Sequence, residues 1–136
     1  MPVLSATFDA IPESQASLGR AGDEHTVIVD RPAGVAGGQG RGLNGGQLLA
    51  LAVGGCLCND LRYLAAEHAV DLGAFGIDVD VNVEAGDVTA VHATIRDAER
   101  PDLIVRLLPL AEEASTIVRA VRSGAPVTIT HAAAER

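Results

Sequence analysis

The sequence has almost no aromatic residues: Phe8, Tyr63 and Phe75 are the only ones, and there is no tryptophan. A protein that stacks bases or sugar rings needs more of these side chains. Lysine is missing altogether. All ten basic residues are arginines, and eighteen acids outnumber them for a net charge of -8. Such a surface repels phosphate backbones and anionic membranes, so nucleic acid and membrane are poor partners. The longest uncharged apolar run, Leu48 to Cys58, is too short to span a bilayer. The N-terminal stretch carries Asp9 and Glu13 without a basic start, unlike a secretory signal, and a cytoplasmic protein is expected. Familiar catalytic signatures are missing as well: no HExxH, GxSxG, CxxC or nucleotide fingerprint occurs. Cysteine is scarce. Cys56 and Cys58 stand one residue apart, a poor separation for a disulfide, and in a reducing compartment such residues are packing groups or reactive thiols. A metal site from Cys56, Cys58, Asp60 and His68 is disfavoured, because helix positions two apart point about 200° apart. No metal is expected.

What is present suits a single globular domain over residues 1–136. Apolar residues make up 48% and charged residues 21%, which is wrong for a disordered chain. Val3 to Phe8 and His25 to Val29 read as strands. Residues 31–46 hold seven glycines and a proline and predict a mobile loop, with no phosphate-binding pattern in it. Asn44 is a plausible N-cap for a long helix from Gln47 to about Val70. Its first half is apolar all round, which predicts burial on every side, while its second half is amphipathic. Gly54 and Gly55 each cost about 1 kcal/mol against alanine and predict another backbone packed closely there.

Phe75 to Glu84 alternates apolar and polar residues as a strand with one buried face. Ala85-Gly86-Asp87 turns the chain into a second strand carrying Val91, Ala93 and Ile95, which makes a hairpin. Residues 102–122 have helical spacing, and Pro109 is expected to split them into two helices. Ser123-Gly124 closes this stretch as a C-cap, and Val127 to His131 reads as a last strand. The resulting order, β-β-α-β-β-α-β, is α+β.

The segment Asn44-Gly45-Gly46-Gln47-Leu48-Leu49-Ala50-Leu51-Ala52-Val53-Gly54-Gly55-Cys56 resembles the cysteine-bearing helix of the OsmC/Ohr family, the osmotically inducible and organic hydroperoxide resistance proteins. The order of elements agrees over nearly the whole chain. The resemblance implies antiparallel sheets around a long buried central helix, in an intertwined homodimer with two thiol sites at its interface. It also implies thiol peroxidase activity toward small hydrophobic organic hydroperoxides, without a cofactor and with Cys56 as the peroxidatic nucleophile. In that chemistry a thiolate becomes a sulfenic acid and then a disulfide with a second cysteine. This chain departs from the pattern twice. Ser115 stands near the place of the resolving cysteine, and Gly46 replaces the carboxylate that orients an activating arginine. Arg20 is the nearest candidate for that arginine, and Arg41 is a rival. The sulfenate would pass to Cys58, which requires local unwinding, or to an external thiol reductant.

Taken by themselves, the residues favour the other cysteine. A free thiol is mostly protonated at neutral pH and needs a nearby cation to become nucleophilic. Cys56 has Asp60 four residues on and on the same helix face, which opposes ionisation; Cys58 has Arg62 there instead. Cys56, Cys58 and Arg20 are therefore the candidate site residues. Two functions compete: a thiol peroxidase, and a catalytically degenerate dimer whose apolar cleft binds a small hydrophobic ligand. Group transfer or redox sensing at the Cys56-Leu57-Cys58 pair is a third.

Overall fold

A computed structural model describes residues 2–132 as three antiparallel strands, a long helix, a hairpin and two further helices. By its internal contacts the chain divides into two compact units. One comprises the chain through Leu51 together with Asp80–His92. The other comprises Ala52–Val79 and the chain from Ala93 on.

In the first unit, β1 (Ala6–Ala10), β2 (Ser17–Ala21) and β3 (His25–Val29) form a meander in the order β1-β2-β3. Their register sets Phe8 opposite Gly19 and Gly19 opposite Val27. β3 has its expected bounds, whereas β1 begins three residues later than expected. β2, Ser-Leu-Gly-Arg-Ala, was not expected at all. It has no β-branched residue and no alternation, and it is extended because strands on both sides supply its ladder.

The glycine-rich stretch after β3 is far from free of structure. Asp30, with its side chain only 2% exposed, accepts backbone N–H bonds from Arg31 (2.8 Å), Gln39 (3.1 Å) and Arg41 (3.0 Å). The far end of the loop is tied back by a bridge between Val29 and Leu43, with the Leu43 N–H donating to the Ile28 carbonyl at 2.8 Å. One carboxylate thus organises a loop that composition alone marks as mobile.

The helix α1 (Gly45–Glu67) opens with a reciprocal capping box. Asn44 Oδ1 accepts the Gln47 N–H at 2.9 Å, and Gln47 Oε1 accepts the Asn44 N–H at 2.9 Å. Within the chain only Val53, Leu57, Leu61 and Ala65 of this helix are buried, a stripe of i,i+4 spacing, and Leu51 is 60% exposed. Burial of its first half on every side is therefore not met by the chain alone. The glycine pair also differs from expectation: a Cβ at Gly54 would lie 3.0 Å from a side-chain methyl of Val79, and at Gly55 it would meet nothing.

The hairpin of β4 (Gly76–Glu84) and β5 (Asp87–Arg96) is joined by Ala85 and Gly86, with φ of 50° and 86°. Two residues at positive φ make a turn whose twist matches that of the strands. In the second unit, Leu61, Ala65 and Leu72 form the core with Leu103, Ile104, Leu107 and Ala111 of α2 (Pro101–Ala114). Pro109 lies inside α2 and does not end it. It shares the exposed face with Val105, 76% exposed, where solvent can satisfy the carbonyl that proline leaves without a donor. The break falls at Ser115, whose ψ of 114° ends α2 and starts α3 (Thr116–Ser123). Gly124, at φ 64°, is the expected left-handed C-cap.

Val127 to His131 is not a strand. Val127 and Ile129 are 83% and 93% exposed, and among the described residues no strand pairs with this segment. β-propensity cannot by itself satisfy backbone groups that lack a ladder.

Candidate functional site

The middle of α1 carries Cys56 between buried Val53 and Leu57, so its sulfur is half-buried beside the packed stripe. The Cys56 Sγ–H donates to Asp60 Oδ2, one turn on, at 3.3 Å. The second contact comes from much further along the chain. Ser115, completely buried, donates its hydroxyl to Cys56 Sγ at 3.2 Å.

The joint between α2 and α3 explains why that hydroxyl points at the sulfur. The Ser115 N–H donates to the Ala111 carbonyl at 2.8 Å and closes α2. Its Oγ accepts the Val118 N–H at 3.3 Å and caps α3. With an oxygen lone pair engaged by the amide, the single hydroxyl proton is left for Cys56. The sulfur therefore sits against the N-cap of α3, at the partly positive end of a helix. Reading Cys56 on its own helix gives no such help, since it lies mid-helix there. Two polar groups meet on one sulfur: the Asp60 carboxylate accepts from it and the Ser115 hydroxyl donates to it.

Cys58 is half-buried and free. Arg62, expected to favour its thiolate, holds its guanidinium 4.6 Å from the centre of the Phe75 ring, so this cation is engaged by an aromatic face. Arg20 lies on β2 and pairs with Asp9 of the neighbouring strand at 3.7 Å. Arg41 lies in the loop that Asp30 organises and contributes its backbone N–H to that carboxylate. The Arg41 amide bond, with those of Gln39 and Arg31 and the Arg31 charge, outweighs burial and holds the Asp30 carboxyl below the usual aspartate range.

Of the groups at the sulfur, Asp60 was legible from its i+4 spacing. Ser115 as a hydrogen-bond donor was not. Asp30 was missed outright, although an aspartate closing a strand ahead of a glycine-rich loop is a recognisable signal for side chain-to-backbone bonds.

The model of the family described as OsmC-like protein matches residues 38–130. Solved structures similar to this chain include an organic hydroperoxide resistance protein, OsmC, from Legionella pneumophila, at 18% identity and TM-score 0.62, covering 90% of each chain. An OsmC-like protein from Mycoplasma pneumoniae matches at 10% identity and TM-score 0.72, covering 89% of this chain and 88% of that one. An organic hydroperoxide resistance protein from Elizabethkingia anophelis matches at 18% identity and TM-score 0.59, covering 90% and 89%. At these identities the likeness establishes the fold, which is the expected α+β arrangement with antiparallel sheets. Among curated proteins no sequence relative matches.

Proposed function

The chain belongs to the OsmC-like protein family, and from that premise we propose that it is a thiol-dependent peroxidase of small hydrophobic organic hydroperoxides, with Cys56 as the nucleophile. The observation that carries this reading is the Ser115 hydroxyl on Cys56 Sγ, delivered from the N-cap of α3. It places a hydrogen-bond donor on the sulfur that the family resemblance makes the nucleophile. Sulfur attacks the distal oxygen of the hydroperoxide, the O–O bond breaks, and the thiol proton leaves with the alkoxide as an alcohol. Cys56 becomes a sulfenic acid. Arg20 enters as the candidate activating cation through the family resemblance.

We further propose that the working form is a homodimer. Leu51, Val127 and Ile129 are exposed apolar residues that a second copy would cover, and light scattering should give twice the chain mass.

The test of function is stopped-flow oxidation of the reduced protein by cumene hydroperoxide, with C56S, C58S and R20A alongside. Fast thiol loss that C56S abolishes, C58S keeps and R20A slows is the expected result. The Asp60 carboxylate on the same sulfur favours a second reading, a family member that binds a small hydrophobic ligand without turnover. Oxidation of Cys56 no faster than that of a free thiol would end the first reading, and hydrophobic-ligand binding that survives mutation of both cysteines would support the second.

A further inference from the structure

The chain has two cysteines, and they cannot meet without unwinding α1: Cys58 lies two residues beyond Cys56, about 200° around the same helix. The position from which another group does reach Cys56 Sγ is filled by Ser115, whose oxygen stands 3.2 Å away. Oxygen cannot complete a disulfide. What it can do follows from the hydrogen-bonding needs of an oxidised sulfur. A sulfenic acid has an oxygen that accepts and a hydroxyl proton that donates. Both complements are already at Cys56. Ser115 is a donor whose acceptor capacity the Val118 amide engages, and Asp60 Oδ2, 3.3 Å from the sulfur, is an acceptor.

We propose that Ser115 makes Cys56 a one-thiol centre. Its hydroxyl retains the Cys56 sulfenic acid, and an exogenous low-molecular-weight thiol, rather than a second cysteine of the chain, discharges it. This rests on the peroxidase reading of Cys56 and adds the fate of the oxidised sulfur. The first equivalent of thiol attacks the sulfenic sulfur, forms a mixed disulfide and releases water. The second attacks the mixed disulfide, releases Cys56 as the thiol and leaves as the symmetrical disulfide, so two thiols supply the two electrons. Ser115 acts here as a positioning residue, and the half-buried sulfur suits a small thiol.

The test treats the full chain with one equivalent of cumene hydroperoxide, then with dimedone, and maps the products by mass spectrometry. The wild type and C58S should both carry the dimedone adduct on Cys56. One equivalent of glutathione added before dimedone should replace the adduct with a mixed disulfide at Cys56, and a second should return the thiol. In excess hydroperoxide, where a second equivalent oxidises the sulfenic acid and leaves as alcohol, S115A should shorten the life of the dimedone-reactive state several-fold as sulfur passes on to the sulfinic acid, and S115T should restore it. A purely structural serine would change the melting temperature of S115A without changing that lifetime. S115C should lose the adduct and close a disulfide to Cys56, since a second sulfur there needs a shift of only about 1 Å to reach bonding distance. A Cys56–Cys58 disulfide or an interchain disulfide as the main wild-type product would overturn the proposal. So would a sulfenic acid whose lifetime S115A leaves unchanged. Failure of the peroxidase reading shows differently, as a rate at Cys56 no greater than at Cys58. Oxidation forced by excess hydroperoxide still reports what becomes of the sulfur in that case.

Discussion

Leu107 is fully buried in the core that α2 shares with Leu61 and Leu72, whereas Leu110, three residues on, is 41% exposed. Helical spacing alone allows either Leu110 or Ala111 to continue the inward face, and the fold selects Ala111, which is fully buried. Leu107→Ala removes a completely enclosed side chain from a site walled by two helices, where the surroundings relax only in part. Losses of about 2.7–5 kcal/mol are usual for such cavities, and about 3.5 is a fair centre. With an unfolding entropy of about 2.1 cal/mol/K per residue over 136 residues, that corresponds to a fall in Tm of about 12 °C. Leu110→Ala, by contrast, uncovers little and should cost about 1 kcal/mol or less. Urea unfolding and calorimetry of both variants, at one protein concentration so that any dimerisation contributes equally, measure the difference. The argument fails if Leu110→Ala costs as much as Leu107→Ala. The inward face of α2 would then be rotated, and the placement of Ser115 at its end would lose its basis.

Further outcomes follow from single features. Asp60→Asn removes the negative acceptor at Cys56 Sγ and should raise the rate of Cys56 alkylation by iodoacetamide at neutral pH several-fold; an unchanged rate would detach Asp60 from the sulfur. Asp30 has its folded pKa depressed by the amides it accepts, so its contribution to stability is complete above the unfolded value of about 3.9 and is lost as pH falls through the folded one. Denaturation midpoints should accordingly drop below about pH 4 in the wild type and change less over that range in Asp30→Asn. Ala85 holds φ 50° ahead of Gly86 at φ 86°, a conformation asparagine tolerates better, so Ala85→Asn should raise stability by about 0.5–1 kcal/mol; a loss on thermal melting would contradict the turn geometry.

Much of the frame can be read from the residues because it is written in local rules. Asn44 and Gln47 are a capping box at the required spacing, residues 75–84 alternate, and Gly124 closes α3, all within a few positions of one another. The elements that escape such reading depend on distant neighbours. Ser-Leu-Gly-Arg-Ala becomes β2 only because β1 and β3 flank it, and Val127 to His131 has the composition of a strand but no ladder in the described chain. Pro109 is the conspicuous breaker in residues 101–123, yet the chain breaks at Ser115. A proline on a solvent-facing helix side is tolerable, whereas a serine that caps the next helix gives the chain a reason to stop. The cysteine helix and Asp60 were legible by spacing. The bond from Ser115 was not, since its partners lie 59 residues apart and only the packed core brings them together.

Ser115 closes one helix, starts the next and touches the sulfur, so three demands fall on a single codon. Threonine can meet all of them, whereas alanine keeps only the backbone bond that closes the first helix. A change from serine to cysteine would move the centre from single-thiol to dithiol chemistry. A thiol, however, is a weaker N-cap acceptor, and losing a serine cap costs a helix start about 1 kcal/mol. Lineages that cross between the two chemistries at this position therefore meet a stability barrier at the same step. The substitution that would accompany such a crossing belongs in the first turn of α3, where a new acidic residue could stand in for the cap that the serine gave up.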